Sequence, residues 1–119
     1  IHLVVELADF LIKKDKAGAL KFISDNIEKG IDIPEFTGTF IDYLRKLLIL
    51  KIDSNLISSI MPGETKEVKE TAQKQSKEFT EENLKKTLNL LMDADNKSKY
   101  ASIQQLPLEL AVIESIGIE

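Results

Sequence analysis

Residues that commonly perform chemistry are scarce in this sequence. The chain has no cysteine and a single histidine, His2, beside its amino-terminal end. Nucleophilic catalysis needs a base held next to the nucleophile, and the ends of a chain are usually poorly ordered. Helical bundles can bind metals through Glu-x-x-His pairs, but no such spacing occurs here. We therefore expect no catalytic residue, no metal site and no disulfide.

Two stretches contain residue types that could contact phosphate groups. The run at Gly63 reads Gly-Glu-Thr-Lys and lacks the G-x-x-x-x-G-K-[ST] pattern whose backbone surrounds phosphates. In the carboxy-terminal half, Tyr100 accompanies several lysines that nearby acids offset: Lys85, Lys86, Lys97 and Lys99 against Glu81, Glu82, Asp93 and Asp95. The net charge is −4, whereas nucleic-acid surfaces need clustered Lys and Arg. We therefore expect no cofactor, no small-molecule substrate and no direct nucleic-acid contact.

The composition is that of a folded domain. Of the 119 residues, 43% are hydrophobic and 30% are charged, which is typical of a globular chain with one core. We expect residues 1–119 to form a single domain. No apolar run approaches the ~20 residues that a membrane span needs, and the absence of cysteine fits an intracellular protein. Because the chain begins at Ile1 within an apolar pattern, without an initiator methionine, we expect it to be a segment of a longer protein.

Apolar residues recur at the helical spacing of three and four along most of the chain. The longest such run is 33–53, and the predicted N-caps are Asp15, Asp32 and Thr80. Gly38 lies inside this run at a cost of about 1 kcal/mol, which we expect the fold to tolerate. The pattern predicts an all-α fold, a compact bundle of about five to six helices around this long central helix. The other predicted helices are 3–12, 17–29, 64–77, 81–92 and 106–117.

The last predicted helix, 106–117, is apolar on two faces. One face carries Leu106, Leu110 and Ile113, and the other carries Leu108, Ala111 and Val112. A helix with two apolar faces needs two partners. One partner is the core of the domain, and the other is either another part of this domain or another chain.

Three segments are distinctive in combination. The first is a helical hairpin with Leu11, Ile12, Asp15 and Ala19–Leu20, followed by Gly30, Asp32 and Phe36. The second is Tyr43-Leu44-Arg45 with Leu47, Leu48 and Lys51, and the third is Leu-Pro-Leu-Glu-Leu-Ala at 106–111. In this order and at these separations they resemble the third domain, the oligomerisation collar, of the gamma/tau subunit of bacterial DNA polymerase III. The resemblance covers nearly the whole chain, and the stretch 61–75 departs from the family pattern.

This resemblance implies a role in DNA replication. Family members are clamp-loader subunits, AAA+ proteins that use ATP to open a sliding clamp and place it on primed DNA. The third domain joins its counterparts in a pentameric collar, which implies that the partners are copies of this chain and other clamp-loader subunits. ATP and Mg²⁺ are then expected only in the domains that precede this one. The chain itself is not expected to be an enzyme, and its expected location is the bacterial cytoplasm.

A closed ring brings one face of a subunit against a different face of its neighbour. We expect the last helix and the far side of the central helix to supply parts of these faces. The candidate interface residues are Tyr43, Leu50, Leu108 and Val112, and for each the monomer core is the alternative. Arg45 is a candidate for an ion pair between subunits, because a guanidinium can donate two parallel hydrogen bonds to a carboxylate; the alternative is an ordinary surface arginine.

A second hypothesis is a stand-alone helical adaptor that binds a peptide of a partner protein in a groove. The two hypotheses differ upstream, because a clamp-loader subunit requires G-x-x-x-x-G-K-[ST] in the part of the gene that precedes Ile1. A third hypothesis, a small enzyme, is disfavoured because the residue patterns for catalysis are missing from the sequence.

Overall fold

The computed structural model describes residues 2–117, and every regular element in that range is helical. The predicted all-α class is therefore confirmed for the described residues. The helices are α1 (His2–Ile12), α2 (Lys16–Glu28), α3 (Ile33–Ile52), α4 (Ile57–Ile60), α5 (Lys66–Glu78), α6 (Glu81–Ser98) and α7 (Leu106–Ile116), with a 3₁₀ turn at Ser54–Leu56. Of the predicted single domain, residues 1, 118 and 119 lie outside the described residues.

Residues 2–117 contain more α-helices than the sequence predicted. The additional helix, α4, spans only four residues. It lies in a stretch that is rich in serine and leads to Pro62 and Gly63, a composition typical of a connection. Its start has no side-chain cap, and its apolar residues Ile57 and Ile60 are partly buried against the core. Contact with the core, rather than local helix propensity, accounts for this single turn.

Side chains cap the starts of four helices. Asp15, Asp32, Thr65 and Thr80 each accept a hydrogen bond from the backbone N–H three residues later, at 2.8 to 3.2 Å. These bonds satisfy N–H groups that the first turn of a helix leaves free. The sequence predicted all of these caps except Thr65, because the charged helix was expected to begin at about residue 64.

Helix α3 has 20 residues and packs against α1, α5 and α6. Its buried side chains follow the three-and-four spacing of one helix face: Ile33, Phe36, Thr37, Phe40, Tyr43, Leu44, Leu47 and Leu50. Gly38 is exposed, and a Cβ added to it would meet no atom of the described chain within 4 Å. Because no packed neighbour in residues 2–117 requires a glycine there, its conformational cost is simply tolerated, as expected.

Helices α6 and α7 form a hairpin across the connection 99–105, with the residues from Leu90 to Lys97 beside those from Pro107 to Glu114. Helix α6 also packs on α3, and α7 packs on α1 and α2. Buried apolar side chains of these helices form one hydrophobic cluster with those of α1, α2 and α3. Helix α7 therefore lies with one side on the core and leaves another side for solvent or a partner.

Candidate functional site

The structure places four of the five candidate interface residues inside the chain. The exposed fraction is 2% for Tyr43 and Leu50, 1% for Leu108 and 0% for Val112. All four belong to the hydrophobic cluster that holds the helices together. In this conformation they cannot touch a neighbouring subunit, so the structure supports the monomer core as their role. Apolar spacing identifies residues that must be covered, but it does not tell whether the same chain or another one covers them.

The buried hydroxyl of Tyr43 has its hydrogen-bond partner within the same chain. Its hydroxyl donates a hydrogen bond to Oε1 of Gln75 on α5 at 2.6 Å. Burial raises the pKa of the Tyr43 hydroxyl far above its usual value, because the charged form would lose its hydration. A tyrosine at a subunit interface commonly keeps its polar end in contact with water, whereas this one points its polar end at another helix of the same chain.

Arg45, the fifth candidate, is accessible. Its side chain is 54% exposed, and its Nε and Nη2 atoms donate to Oδ1 of Asp42 at 3.2 and 3.1 Å. Lys46 Nζ lies 3.0 Å from the other carboxylate oxygen, Oδ2. Partial burial acts to raise the pKa of Asp42, but the hydrogen bonds from Lys46 and Arg45 outweigh it and hold that pKa below its usual value. Because exposed pairs within one helix contribute little, Arg45 can exchange Asp42 for a carboxylate on another chain.

Helix α7 is apolar on two faces, and the structure shows which one turns inward. The buried face carries Leu108, Ala111 and Val112, which are 1%, 5% and 0% exposed. The other face, called the α7 outer face from here on, consists of Leu106 and Leu110, which are 41% and 56% exposed, and Ile113, which is partly buried. The two interface candidates chosen on this helix thus lie on its inward face. The accessible residues, Leu106 and Leu110, are not among the interface candidates predicted from the sequence.

A shallow groove between α6 and α7 borders the α7 outer face. Its apolar lining includes Leu90, Pro107 and Leu110. At its edge Lys97 Nζ lies 2.8 Å from Oδ2 of Asp93, and this hydrogen bond raises the pKa of Lys97. An apolar strip edged by charged side chains is the usual make-up of a protein-binding surface.

Other large apolar side chains are exposed near helix ends. In the connection before α7, Tyr100 is 89% and Ile103 is 54% exposed. At the carboxyl end of α3, Ile52 is 66% and Leu56 is 38% exposed. Since seven residues make about two helical turns, Arg45 lies on the same side of α3 as Ile52. The sequence did not reveal that these apolar side chains are exposed, because an exposed leucine or isoleucine has the same spacing as a buried one.

Within residues 2–117, no group of three or more His, Cys, Asp or Glu side chains is placed to hold a metal ion. No helix in that range has both the length and the apolar character that crossing a membrane requires. The described surface does carry exposed large apolar side chains at helix faces and ends.

Comparison with known proteins identifies the family. A search of curated proteins and a search of solved structures each found no match. The family model described as DNA polymerase III subunits gamma and tau domain III matches residues 2–118. This match covers almost the whole chain and agrees with the resemblance carried by the three sequence segments. The chain therefore belongs to the family of domain III of the DNA polymerase III subunits gamma and tau.

Proposed function

We propose that this chain is the oligomerisation domain of a clamp-loader subunit. In this role it joins other clamp-loader subunits, and copies of itself, in a pentameric collar from which the ATPase modules extend. The assembly loads the sliding clamp onto primed DNA during replication, in the bacterial cytoplasm. ATP and Mg²⁺ are bound, and ATP is hydrolysed, in other domains of the subunit, whereas this domain binds only protein. Membership of the family supports the proposal, and the α7 outer face is the observation that carries it.

Burial of the α7 outer face would supply binding free energy. Leu106 and Leu110 are about half exposed, and removing apolar surface from water contributes roughly 25 cal/mol for each Å². A pentameric ring requires two different faces on each subunit, one for each neighbour. The second face that we propose is the exposed side of α3, where Ile52 supplies an apolar contact and Arg45 supplies an ion pair.

Replacement of Leu110 tests the proposal. In the complete subunit, Leu110→Glu should weaken assembly with the other clamp-loader subunits at least roughly tenfold, because it buries a charge in an apolar contact. Light scattering of the mixed subunits over a concentration series measures this effect. Leu110 is exposed in the single chain, so the thermal unfolding of the isolated domain should change little.

Met92 offers a matched control. It is 49% exposed on α6. Around the axis of this helix it lies about 160° from Leu90, which faces the groove. Met92→Glu introduces the same charge at similar exposure, and assembly should persist. If Leu110→Glu assembled like the unmodified subunit, the α7 outer face would not be the interface. If the reading frame before Ile1 lacked G-x-x-x-x-G-K-[ST], the clamp-loader role would fail, and the helical adaptor would take its place.

A further inference from the structure

Helix α5 is attached to the rest of the molecule by few apolar contacts. Its sequence, KEVKETAQKQSKE, is dominated by charged and amide side chains. Only Ala72, Gln75 and Ser76 are buried, and Val68 is partly buried. The helix packs on α1 and α3. Since apolar burial is the main source of local stability, α5 is held much less firmly by side-chain packing than α6, which buries three leucines, Leu84, Leu88 and Leu91.

Two apolar residues bracket α5 along the chain. Met61 is 2% exposed and Phe79 is 4% exposed, and both belong to the hydrophobic cluster. The residues from Pro62 to Glu67 between Met61 and the body of α5 are all exposed. The chain therefore has a firmly buried side chain on each side of α5 and an exposed connection that can change its path without disturbing the core.

A buried polar bridge links α5 to both helices beneath it. The Tyr43 hydroxyl on α3 donates to Oε1 of Gln75 at 2.6 Å. Nε2 of the same Gln75 donates to the backbone carbonyl oxygen of Val5 on α1 at 3.0 Å. Gln75 is 4% exposed; its hydrogen bond with Tyr43 is buried, and its hydrogen bond to Val5 is partly buried. A hydrogen bond away from water is stronger, and an unpaired partner there is costly. We call this the Tyr43–Gln75–Val5 bridge.

We propose that α5 opens as a unit between Met61 and Phe79 while the other long helices stay packed, and that the Tyr43–Gln75–Val5 bridge holds it closed. The opening exposes the side of α3 that carries the Tyr43 hydroxyl, a surface that is hidden in the closed form. Regions with few buried apolar contacts open at lower free energy than the whole molecule unfolds. This opening of α5 is a property of the single domain and does not depend on the role in oligomerisation proposed above.

Native-state amide hydrogen exchange of this chain tests the proposal. In the unmodified chain, amides in the middle of α5 should exchange at least roughly tenfold faster than the protected amides of α3 and α6. Gln75→Met keeps the side-chain length but removes both hydrogen bonds of the bridge. It should accelerate exchange in α5 by a further factor of roughly ten, as expected for the loss of buried hydrogen bonds.

Two control variants separate opening of α5 from general loss of stability. Gln73→Met makes the same substitution on the same helix, but Gln73 is only partly buried and makes a single long hydrogen bond of 3.4 Å, to the carbonyl oxygen of Ser54. It should change exchange in α5 far less than Gln75→Met does. Val112→Ala weakens the core beneath α7, so it should accelerate exchange in α3 and α6 and leave α5 unchanged.

Tyr43→Phe removes one of the two hydrogen bonds of the bridge, the one from the Tyr43 hydroxyl to Gln75, and leaves the bond from Gln75 to Val5 in place. It should accelerate exchange in α5 in the same direction as Gln75→Met. Equal exchange free energies for α5, α3 and α6 in the unmodified chain would overturn the proposal, because α5 would then open only when everything unfolds. So would α5 rates that stay the same in Gln75→Met and Tyr43→Phe, because the bridge would then have no part in holding the helix.

Discussion

The buried hydroxyl groups of this chain differ in whether they have a partner. Thr37 on α3 is 1% exposed, and its hydroxyl donates to the carbonyl oxygen of Ile33 at 2.8 Å. Thr87 on α6 is also 1% exposed, but its Oγ1 atom has no hydrogen-bond partner in the described part of the chain. Burial of a hydroxyl group without a hydrogen bond costs about 1–3 kcal/mol. Thr87 is therefore a position where we expect removal of the hydroxyl to stabilise the chain.

Thr87→Val should raise the free energy of unfolding by about 1 kcal/mol. Valine has nearly the same shape as threonine and replaces the unpaired hydroxyl with a methyl group, so the desolvation cost disappears while the packing remains. Urea denaturation monitored by circular dichroism measures the change in the free energy of unfolding.

Thr37→Val is the matched control, because the same two residue types are exchanged at a position equally buried within a helix. It removes a hydroxyl that does have a partner, so the free energy of unfolding should fall by about 1 kcal/mol or stay unchanged. If both variants were destabilised alike, the Thr87 hydroxyl would have a partner in solution, such as a bound water, that offsets its burial.

At the scale of the helix, α1 and α2 end in the same way but with different residues. Lys14 N–H donates to the carbonyl oxygen of Leu11 at 3.2 Å, and the next N–H donates back to Phe10 at 3.0 Å. Gly30 and the residue after it repeat this pair of bonds at the end of α2, at 2.9 and 3.1 Å. Both arrangements require a left-handed residue, with φ of 58° at Lys14 and 93° at Gly30. Only glycine adopts this conformation without a steric penalty.

Lys14→Gly should therefore stabilise the chain by roughly 0.5–1 kcal/mol. The left-handed conformation costs a non-glycine residue about 1–2 kcal/mol, and part of this gain is offset because glycine makes the unfolded chain more flexible. Thermal unfolding measures the effect. Lys14→Ala removes the same charged side chain and keeps the Cβ, so it should bring no gain. A gain equal to that of Lys14→Gly would show that the charge, not the backbone, was unfavourable.

At the scale of the whole molecule, the helical nature of the fold and most helix starts were predictable, because periodic apolar residues and capping side chains act over three or four residues. The short helix α4 was not predictable, since its stability comes from the core it lies against rather than from its own sequence. Similarly, the spacing along 106–117 predicted two apolar faces but did not distinguish Leu108, which is buried, from Leu110, which is exposed.

The hydrogen bonds that involve the buried Tyr43 and its partner join residues that are far apart in the chain. Tyr43 and Gln75 are separated by 32 positions, and Gln75 and Val5 by 70. No local pattern in a single sequence connects such residues, so the sequence left Tyr43 as an interface candidate with the monomer core as its alternative and did not reveal Gln75 as its hydrogen-bond partner. Gln75 lies in a helix of mostly charged and amide side chains, where nothing in the local sequence assigns it a role. Tertiary packing, rather than local propensity, determines which side chains stay exposed and can contact a neighbouring subunit.

The Tyr43 hydroxyl of the same bridge makes the stability of the whole molecule depend on pH in the alkaline range. Burial raises the pKa of the Tyr43 hydroxyl in the folded chain above the value of about 10 that tyrosine has when unfolded. The folded chain therefore retains this proton at a pH where the unfolded chain has lost it. The contribution of Tyr43 to stability is fully present below about pH 10, and it is lost as the pH rises from there toward the pKa of the folded state.

Tyr43→Phe should consequently flatten the fall of the free energy of unfolding as the pH rises above about 10, because phenylalanine has no proton to lose. Urea denaturation at a series of pH values measures this slope. Lys13, Lys21 and Lys97, whose pKa values are raised by hydrogen bonds to carboxylates four positions away along the chain, titrate in all variants, so their effect cancels in the comparison. Equal slopes for Tyr43→Phe and the unmodified chain would mean that the Tyr43 hydroxyl reaches water in the folded state.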